Sequence, residues 1–190
     1  MSARKKSSQR AELEALKTKF KDLLEGETDR GLALAGHAYL DDAIKEFLCA
    51  YLLDSPEVVD RLMQPSGPLG SFGVRCDLAY SLGLVGSNMY SDLNQVRKIR
   101  NKFAHRYSRL DFSSSPVSDH CKNLKIPDLD DPKKEMEPRD RFVMSVSLLA
   151  SHFLSQMKKT PHREIGKDYR VQIDDFPGSF VVAEKETGSE

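Results

Sequence analysis

Apolar residues recur every three or four positions along several stretches of this chain, a spacing that favours packed helices over any sheet. The longest stretch runs from about Arg30 to Leu53, and others run from about Ser91 to Ser108 and from Arg139 to Lys158. Residues three and four positions apart share one face of an α-helix, so each stretch predicts an amphipathic helix. The buried side of the first helix is predicted to comprise Leu40, Ala43, Ile44, Phe47, Leu48 and Tyr51. The sequence therefore predicts an all-α fold, a single-domain bundle of about six helices.

The chain divides into three predicted segments. Residues 1–28 are charged and contain one amphipathic helix with a narrow leucine stripe, which can pack on the domain or pair with a second chain. Residues 29–160 form the helical domain, and Thr28 or Asp29 can cap its first helix through a side-chain oxygen. Residues 161–190 form a C-terminal tail, in which alternating apolar residues predict either a small hairpin or an ordered tail.

Shorter features interrupt the helical domain. Asp54-Ser55-Pro56 ends the long helix and opens a short one through Met63, because proline is favoured in a first helical turn. Another helix is predicted from Val74 to Leu84. Residues 111–138 are rich in serine, proline and aspartate, so they predict a loop with at most a short helix near residues 120–124.

Charge and cysteine content limit the cellular setting. The chain carries 29 basic and 29 acidic residues, so bulk electrostatics favours neither nucleic-acid nor membrane binding. No run approaches the roughly 18 apolar residues of a membrane helix. The three cysteines, Cys49, Cys76 and Cys121, have no paired spacing, which favours a reducing compartment. We therefore expect a cytoplasmic protein without a cofactor or a bound metal.

The helix predicted to begin near Ser91 carries the strongest local concentration of charge. The apolar side predicted to enter the core comprises Leu93, Val96, Ile99 and Phe103. The basic positions, with no acid between them, include Arg97, Lys98, Arg100, Lys102 and Arg106. One interpretation is a solvated face near a helix C-terminus, where the helix dipole favours cations. The other is a site for phosphate or for a partner, because arginine offers forked donors that match a phosphate group.

Three stretches of the helical domain carry short signatures in a fixed order. Residues 31–53 contain LDDA, residues 67–84 contain GPLGSF and residues 90–105 contain IRNKFAH. Together they resemble the mannitol operon repressor (MltR) family almost continuously over residues 31–105. The resemblance implies an all-helical fold and a repressor or co-repressor of a sugar-alcohol operon.

The same resemblance supplies no DNA-reading element. The connection from Gly83 to Ser91 is long and loose for a helix-turn-helix. Direct DNA binding is therefore not favoured, and we expect action through a protein partner such as another transcription regulator. We also expect a homodimer, because the leucine stripe within residues 1–28 needs a partner.

Part of the basic helix resembles a second, wider group. Residues 100–105 (RNKFAH) fit the R-x4-H pattern of HEPN-type helical domains, many of which are metal-independent ribonucleases. By this analogy, in an endoribonuclease, His105 would transfer protons, Arg100 would stabilise negative charge and Asn101 would orient the groups. Arg100 and His105 are about 140° apart on a regular helix, so joint action requires the helix to end earlier or a second subunit to contribute. RNA or phosphate binding without catalysis is the milder form of this alternative, and an enzyme is the less favoured outcome.

Three spaced glycines favour structure over chemistry. Gly67, Gly70 and Gly73 lack the preceding strand and the following Gly-Lys pair of a phosphate-binding loop. They predict a tight turn into a closely packed helix.

His37 and Asp41 lie four residues apart on the first long helix, but no third metal ligand has a matching spacing. They therefore predict a polar helix face. If that face meets the basic helix, Asp41 or Glu46 should lie within salt-bridge range of Arg97 or Arg100.

Overall fold

The computed structural model describes residues 26–105, 110–130 and 135–157, together with Lys159 and Arg163. Within them the chain forms seven α-helices and no strand. The helices are α1 (Asp29–Tyr51), α2 (Pro56–Met63), α3 (Phe72–Ser81), α4 (Ser87–His105), α5 (Val117–Lys122), α6 (Ile126–Asp130) and α7 (Pro138–Met157). The all-α prediction is confirmed. The helix expected within residues 1–28 and the C-terminal hairpin lie outside the described residues.

Helix α1 lies at the centre of the bundle, where it packs on α7, α4 and α3. It begins at the predicted cap, since Thr28 Oγ1 accepts the amide of Gly31 at 3.1 Å. Its buried side contains the predicted residues from Leu40 to Leu48 and extends back to Leu32. The expected burial of Tyr51 is only partial, because this residue is the last of the helix. No helix of the described chain has the length and apolar character needed to cross a membrane.

The segment predicted as a loop with at most one short helix contains two helices, α5 and α6. Four of its apolar side chains are at most 2% exposed: Phe112, Val117, Cys121 and Leu124. The Phe112 ring lies between those of Phe103 and Phe142, with centroids 5.2 and 5.1 Å away. Burying a large apolar side chain contributes about 1.5–3 kcal/mol, so these contacts favour order in a serine- and proline-rich segment. The sequence predicted too little helix in this segment, because composition does not reveal packing against residues far away along the chain.

A buried arginine of α7 fastens this segment to the bundle. Arg141 is 9% exposed, and its Nε donates to the carbonyl oxygen of Cys121 at 3.2 Å. Its two terminal nitrogens bind the carboxylate of Asp128 at 2.7 and 2.9 Å. A buried guanidinium is tolerated because its charge is paired and its donors are satisfied.

Two helices begin earlier than predicted. Helix α3 begins at Phe72 instead of Val74, because Ser71 Oγ accepts the Val74 amide at 3.4 Å and caps the helix. Helix α4 begins at Ser87 instead of Ser91. Helix α3 also ends earlier than predicted, at Ser81 instead of Leu84, because Leu82 is its C-terminal cap.

Candidate functional site

Helix α4 separates the basic residues from the core. Its four apolar residues predicted to be buried are at most 2% exposed, and they are Leu93, Val96, Ile99 and Phe103. Its other side is exposed or half-buried and carries Arg97, Lys98, Arg100, Asn101 and Lys102. The predicted division of this helix is confirmed. Arg106 and the side chain of His105 lie outside the described residues.

The one acid of α4 points into the core and does not neutralise these cations. Asp92 is 0% exposed, and its carboxylate accepts the amides of Lys125 (2.8 Å) and Ile126 (3.0 Å). It also accepts the Ser145 hydroxyl at 3.0 Å. Burial raises the pKa of Asp92, while these bonds and the charge of Arg141 oppose the rise. Among described residues, the salt bridges are Arg75–Asp41, Arg139–Asp29 and Arg141–Asp128, so none includes a cation of α4.

The single basic run of the sequence becomes two patches in space. Burial lowers the pKa of His37 in α1; Asp41 opposes this, while Arg100, Arg75 and Arg97 lower the pKa further. Burial also lowers the pKa of His120 in α5, with Lys98 and Lys102 adding to the effect. The arginines of α4 therefore lie toward α1 and its lysines toward α5, as expected for positions about 100–160° apart around a helix.

Helices α3 and α4 form an antiparallel hairpin. The rings of Tyr80 and Tyr90 stack with centroids 4.5 Å apart and planes at 14°, and the Tyr90 hydroxyl donates to Asp77 at 2.7 Å. At the other end of α3, Gly73 contacts the guanidinium of Arg97, which a Cβ atom there would overlap. The contacts thus extend along α3, whereas helix-turn-helix pairs meet at about 90–120° and diverge from the turn.

Exposed apolar side chains border this hairpin. Val74, Tyr80 and Leu82 are 41%, 44% and 39% exposed, and all belong to α3 or its C-terminal cap. We refer to Tyr80, Tyr90 and Arg97, which lie where α3 faces α4, as the α3/α4 surface. Aromatic and arginine side chains together are typical of protein interfaces. Sequence reasoning did not single out the apolar members, because exposure depends on which neighbours pack against α3.

The polar face of α1 meets an arginine, but not one that the sequence predicted. Asp41 forms its ion pair with Arg75 of α3, and no salt bridge among the described residues joins Asp41 or Glu46 to Arg97 or Arg100. The sequence did not single out Arg75, because no local pattern shows that this arginine of a short helix is only 4% exposed. It lies next to the Gly67–Gly73 turn.

The turn itself has the close packing that the three glycines predicted. Added Cβ atoms at Gly67 and Gly70 would overlap the backbone carbonyls of Leu62 and Pro65. The carbonyl oxygen of Leu69 accepts Arg75 Nη1 at 2.6 Å. The glycines therefore serve a tight turn that positions Arg75.

The structure describes only part of the R-x4-H motif, because the side chain of His105 lies outside the described residues. Arg100 Nη1 donates to Asn101 Oδ1 at 3.2 Å. Helix α4 remains helical to His105, so the condition that it ends earlier is not met, and only a second subunit could complete the site. In the part of the chain that the structure describes, no three histidine, cysteine or acidic side chains converge as a metal site would require.

The described residues form an all-helical bundle with a mixed apolar and basic surface. The chain belongs to the mannitol repressor (MtlR) family, whose match extends over residues 19–161, and it is thereby a transcriptional regulator. A search of curated proteins gave no match.

Two solved structures share the fold. One is a chain of the X-ray structure of the MtlR–HPr complex from Escherichia coli, with a TM-score of 0.60 and 19% identity over 73% of this chain and 98% of the other. The second is YggD, a possible transcriptional regulator from Shigella flexneri, with a TM-score of 0.54 and 18% identity over 74% of this chain and 96% of the other. At these identities the likeness establishes the fold alone.

Proposed function

We propose that this regulator acts through a protein partner that docks on the α3/α4 surface, and not by placing a helix of its own in DNA. The observation that carries the proposal is that exposed Tyr80, stacked on Tyr90, lies along the same side of α3 as Arg97, which no described acid pairs. Apolar contact excludes water, and charge complementarity around it selects the partner. A fitting partner therefore presents an apolar projection flanked by carboxylates.

The similar E. coli structure supports a protein partner. That structure is a complex of MtlR with HPr, and one of its chains has the fold of this protein. HPr is therefore the first partner to test on this chain.

The hairpin geometry supports the part of the proposal that concerns DNA. A recognition helix must stand clear of its neighbour to enter a groove about 12 Å wide. Helix α3 instead lies along α4, stacking Tyr80 on Tyr90 and contacting Arg97.

Calorimetric titration of the full chain with HPr tests the docking surface. We expect Tyr80→Ala and Arg97→Glu each to weaken binding by about ten-fold or more, as central aromatic and arginine residues do at protein interfaces. Arg61→Glu is the matched control, because Arg61 is an exposed cation on α2. Equal binding by all variants would place the partner elsewhere. Specific binding of operator DNA by the chain alone, lost on Arg97→Glu, would overturn the proposal.

We propose further that the chain is a homodimer, with residues 29–160 as the helical domain, 161–190 as a tail and the leucine stripe of residues 1–28 as the dimer contact. The narrow stripe supports this, because an isolated helix gains little from it without a partner. Light scattering on the full chain should give a dimer mass, and Leu16→Glu with Leu23→Glu should give a monomer. A monomeric parent protein would refute the assembly.

A second candidate is an RNA-binding or ribonuclease activity at Arg100, Asn101 and His105. The Arg100–Asn101 hydrogen bond favours it, because it orients two members of the motif together. Total RNA incubated with the parent protein in EDTA near neutral pH should then be cleaved, and the His105→Ala variant should be inactive. If neither protein cleaves RNA, the ribonuclease activity is excluded.

A further inference from the structure

Two cationic or titratable groups from different helices lie against the same turn of α3. The ring of His37 packs on Phe72, the first residue of α3, with centroids 4.5 Å apart. The guanidinium of Arg97 contacts Gly73, the next residue, whose missing Cβ leaves room for it. Phe72 and Gly73 are consecutive, and the charge of Arg97 acts on His37, so both groups lie at the N-terminal turn of α3.

Positive charge at this turn is not balanced. Asp41 is an acid that acts on His37, and it is already paired with Arg75. Arg97 and Arg100, which both act on His37, have no salt bridge with any described residue. The N-terminus of α3 adds the positive end of a helix dipole, and its first turn contains no acid.

Unused hydrogen-bond donors lie at the same place. Arg75 is 4% exposed, and its Nε is buried without an acceptor in the described chain, although its terminal nitrogens are bonded. The Ser71 cap engages the amide of Val74, which leaves those of Phe72 and Gly73 without an acceptor among the described residues. Donors and positive charge at a helix N-terminus are the features that bind phosphate groups.

We propose that His37, Arg97 and Arg100 form a binding site for a phosphate dianion at the N-terminal turn of α3. The two arginines supply two positive charges, which match the charge of inorganic phosphate or of a phosphomonoester. Phe72 positions the His37 ring, and Gly73 keeps the Arg97 guanidinium close to the turn. This site shares Arg97 with the proposed docking surface, but phosphate binding does not depend on a protein partner.

Binding at this site is coupled to a proton on His37. In the free protein, burial holds the pKa of His37 below its usual value; Arg100, Arg75 and Arg97 lower it and Asp41 raises it. The ring is therefore neutral near neutral pH. A bound dianion favours the imidazolium form, so binding takes up a proton and affinity rises as the pH falls.

Calorimetric titration of the full chain with sulfate, inorganic phosphate and glycerol phosphate tests the proposal. Sulfate stays doubly charged between about pH 8 and pH 6, so any gain in its affinity on acidification reports on the protein. We expect such a gain in the parent protein and none in His37→Asn. Tighter binding of glycerol phosphate than of phosphate would identify a phosphomonoester as the ligand, and the reverse order would identify the free ion.

Arginine variants locate the site. Arg97→Gln and Arg100→Gln should each weaken phosphate binding by about ten-fold, the effect of losing one charge-assisted donor group. Gly73→Ala should also weaken it, because the new Cβ displaces the Arg97 guanidinium. Arg61→Gln, which removes an exposed cation of α2, should stay within about two-fold of the parent. Absence of binding in the parent, or binding in both arginine variants as tight as in the parent, would overturn the proposal.

Discussion

Replacing Asp92 by alanine tests whether the one acid of α4 holds the bundle together. Its carboxylate accepts three hydrogen bonds, from the amides of Lys125 and Ile126 and from the hydroxyl of Ser145. These bonds join α4 to the start of α6 and to α7. Because Asp92 is 0% exposed, no water can replace the lost oxygens without rearrangement.

The magnitude follows from what each donor can do after the substitution. Ser145 is 0% exposed, so leaving its hydroxyl unpaired costs about 1–3 kcal/mol. The amides of Lys125 and Ile126 lie nearer the surface and can turn to water, at about 0.5–1 kcal/mol each. We therefore expect Asp92→Ala to lose about 3 kcal/mol, or about 6–12 °C in Tm for a chain of this size. Asp92→Asn keeps one acceptor oxygen and should lose about 1–2 kcal/mol.

Urea unfolding followed by circular dichroism measures these free energies. Asp42→Ala is the control, because Asp42 is exposed on α1. This substitution causes the same gain in helix propensity as Asp92→Ala but removes no buried hydrogen bond. An Asp92→Ala protein as stable as this control would refute the reasoning.

The pH dependence of Asp92→Asn adds a second test. Burial raises the folded pKa of Asp92 above its unfolded value. The folded protein therefore binds this proton more tightly, and the parent loses stability as the pH rises through the folded pKa. Since asparagine does not titrate, the cost of Asp92→Asn should be largest in acid and shrink toward neutral pH. A cost that grows instead would contradict the raised pKa.

Three further predictions concern a cap, the thiols and an ion pair. Thr28→Ala removes the cap of α1 and should cost about 1 kcal/mol in urea unfolding, whereas Thr28→Ser should be nearly neutral. Burial raises the pKa of Cys76 and of Cys121 to about 12, so iodoacetamide at mildly alkaline pH should leave both unmodified in the native protein by mass spectrometry. The hydrogen bond from Arg141 holds the pKa of Asp128 below its usual value. Asp128→Asn should therefore destabilise the protein at neutral pH, and thermal unfolding should show this difference vanish as acid protonates the parent's carboxylate.

Local spacing was sufficient to predict the long helices, because their buried apolar residues repeat every three or four positions. The apolar positions of α4, from Leu93 to Phe103, repeat at helical spacing and all enter the core. The cap at Thr28 and the turn at Gly67 and Gly70 were also predictable, because each depends on residues within a few positions along the chain. The same regularity supports the family resemblance over residues 31–105, which lies within the matched range.

The candidate sites depend on contacts between residues far apart in sequence, which no local pattern encodes. The sequence located the basic run, but only packing directed Arg97 to the turn of α3 and separated Lys98 from it. Packing likewise paired Asp41 with Arg75, where spacing had suggested a partner on α4.

The sequence by itself thus determined the helical class, the buried faces and the positions of the charges. Tertiary structure decided which charges stay unpaired and which apolar side chains stay exposed. The physical reason is that hydrophobic periodicity acts within one helix, through residues three or four positions apart. Pairing and burial of polar groups act between helices and depend on how the bundle closes.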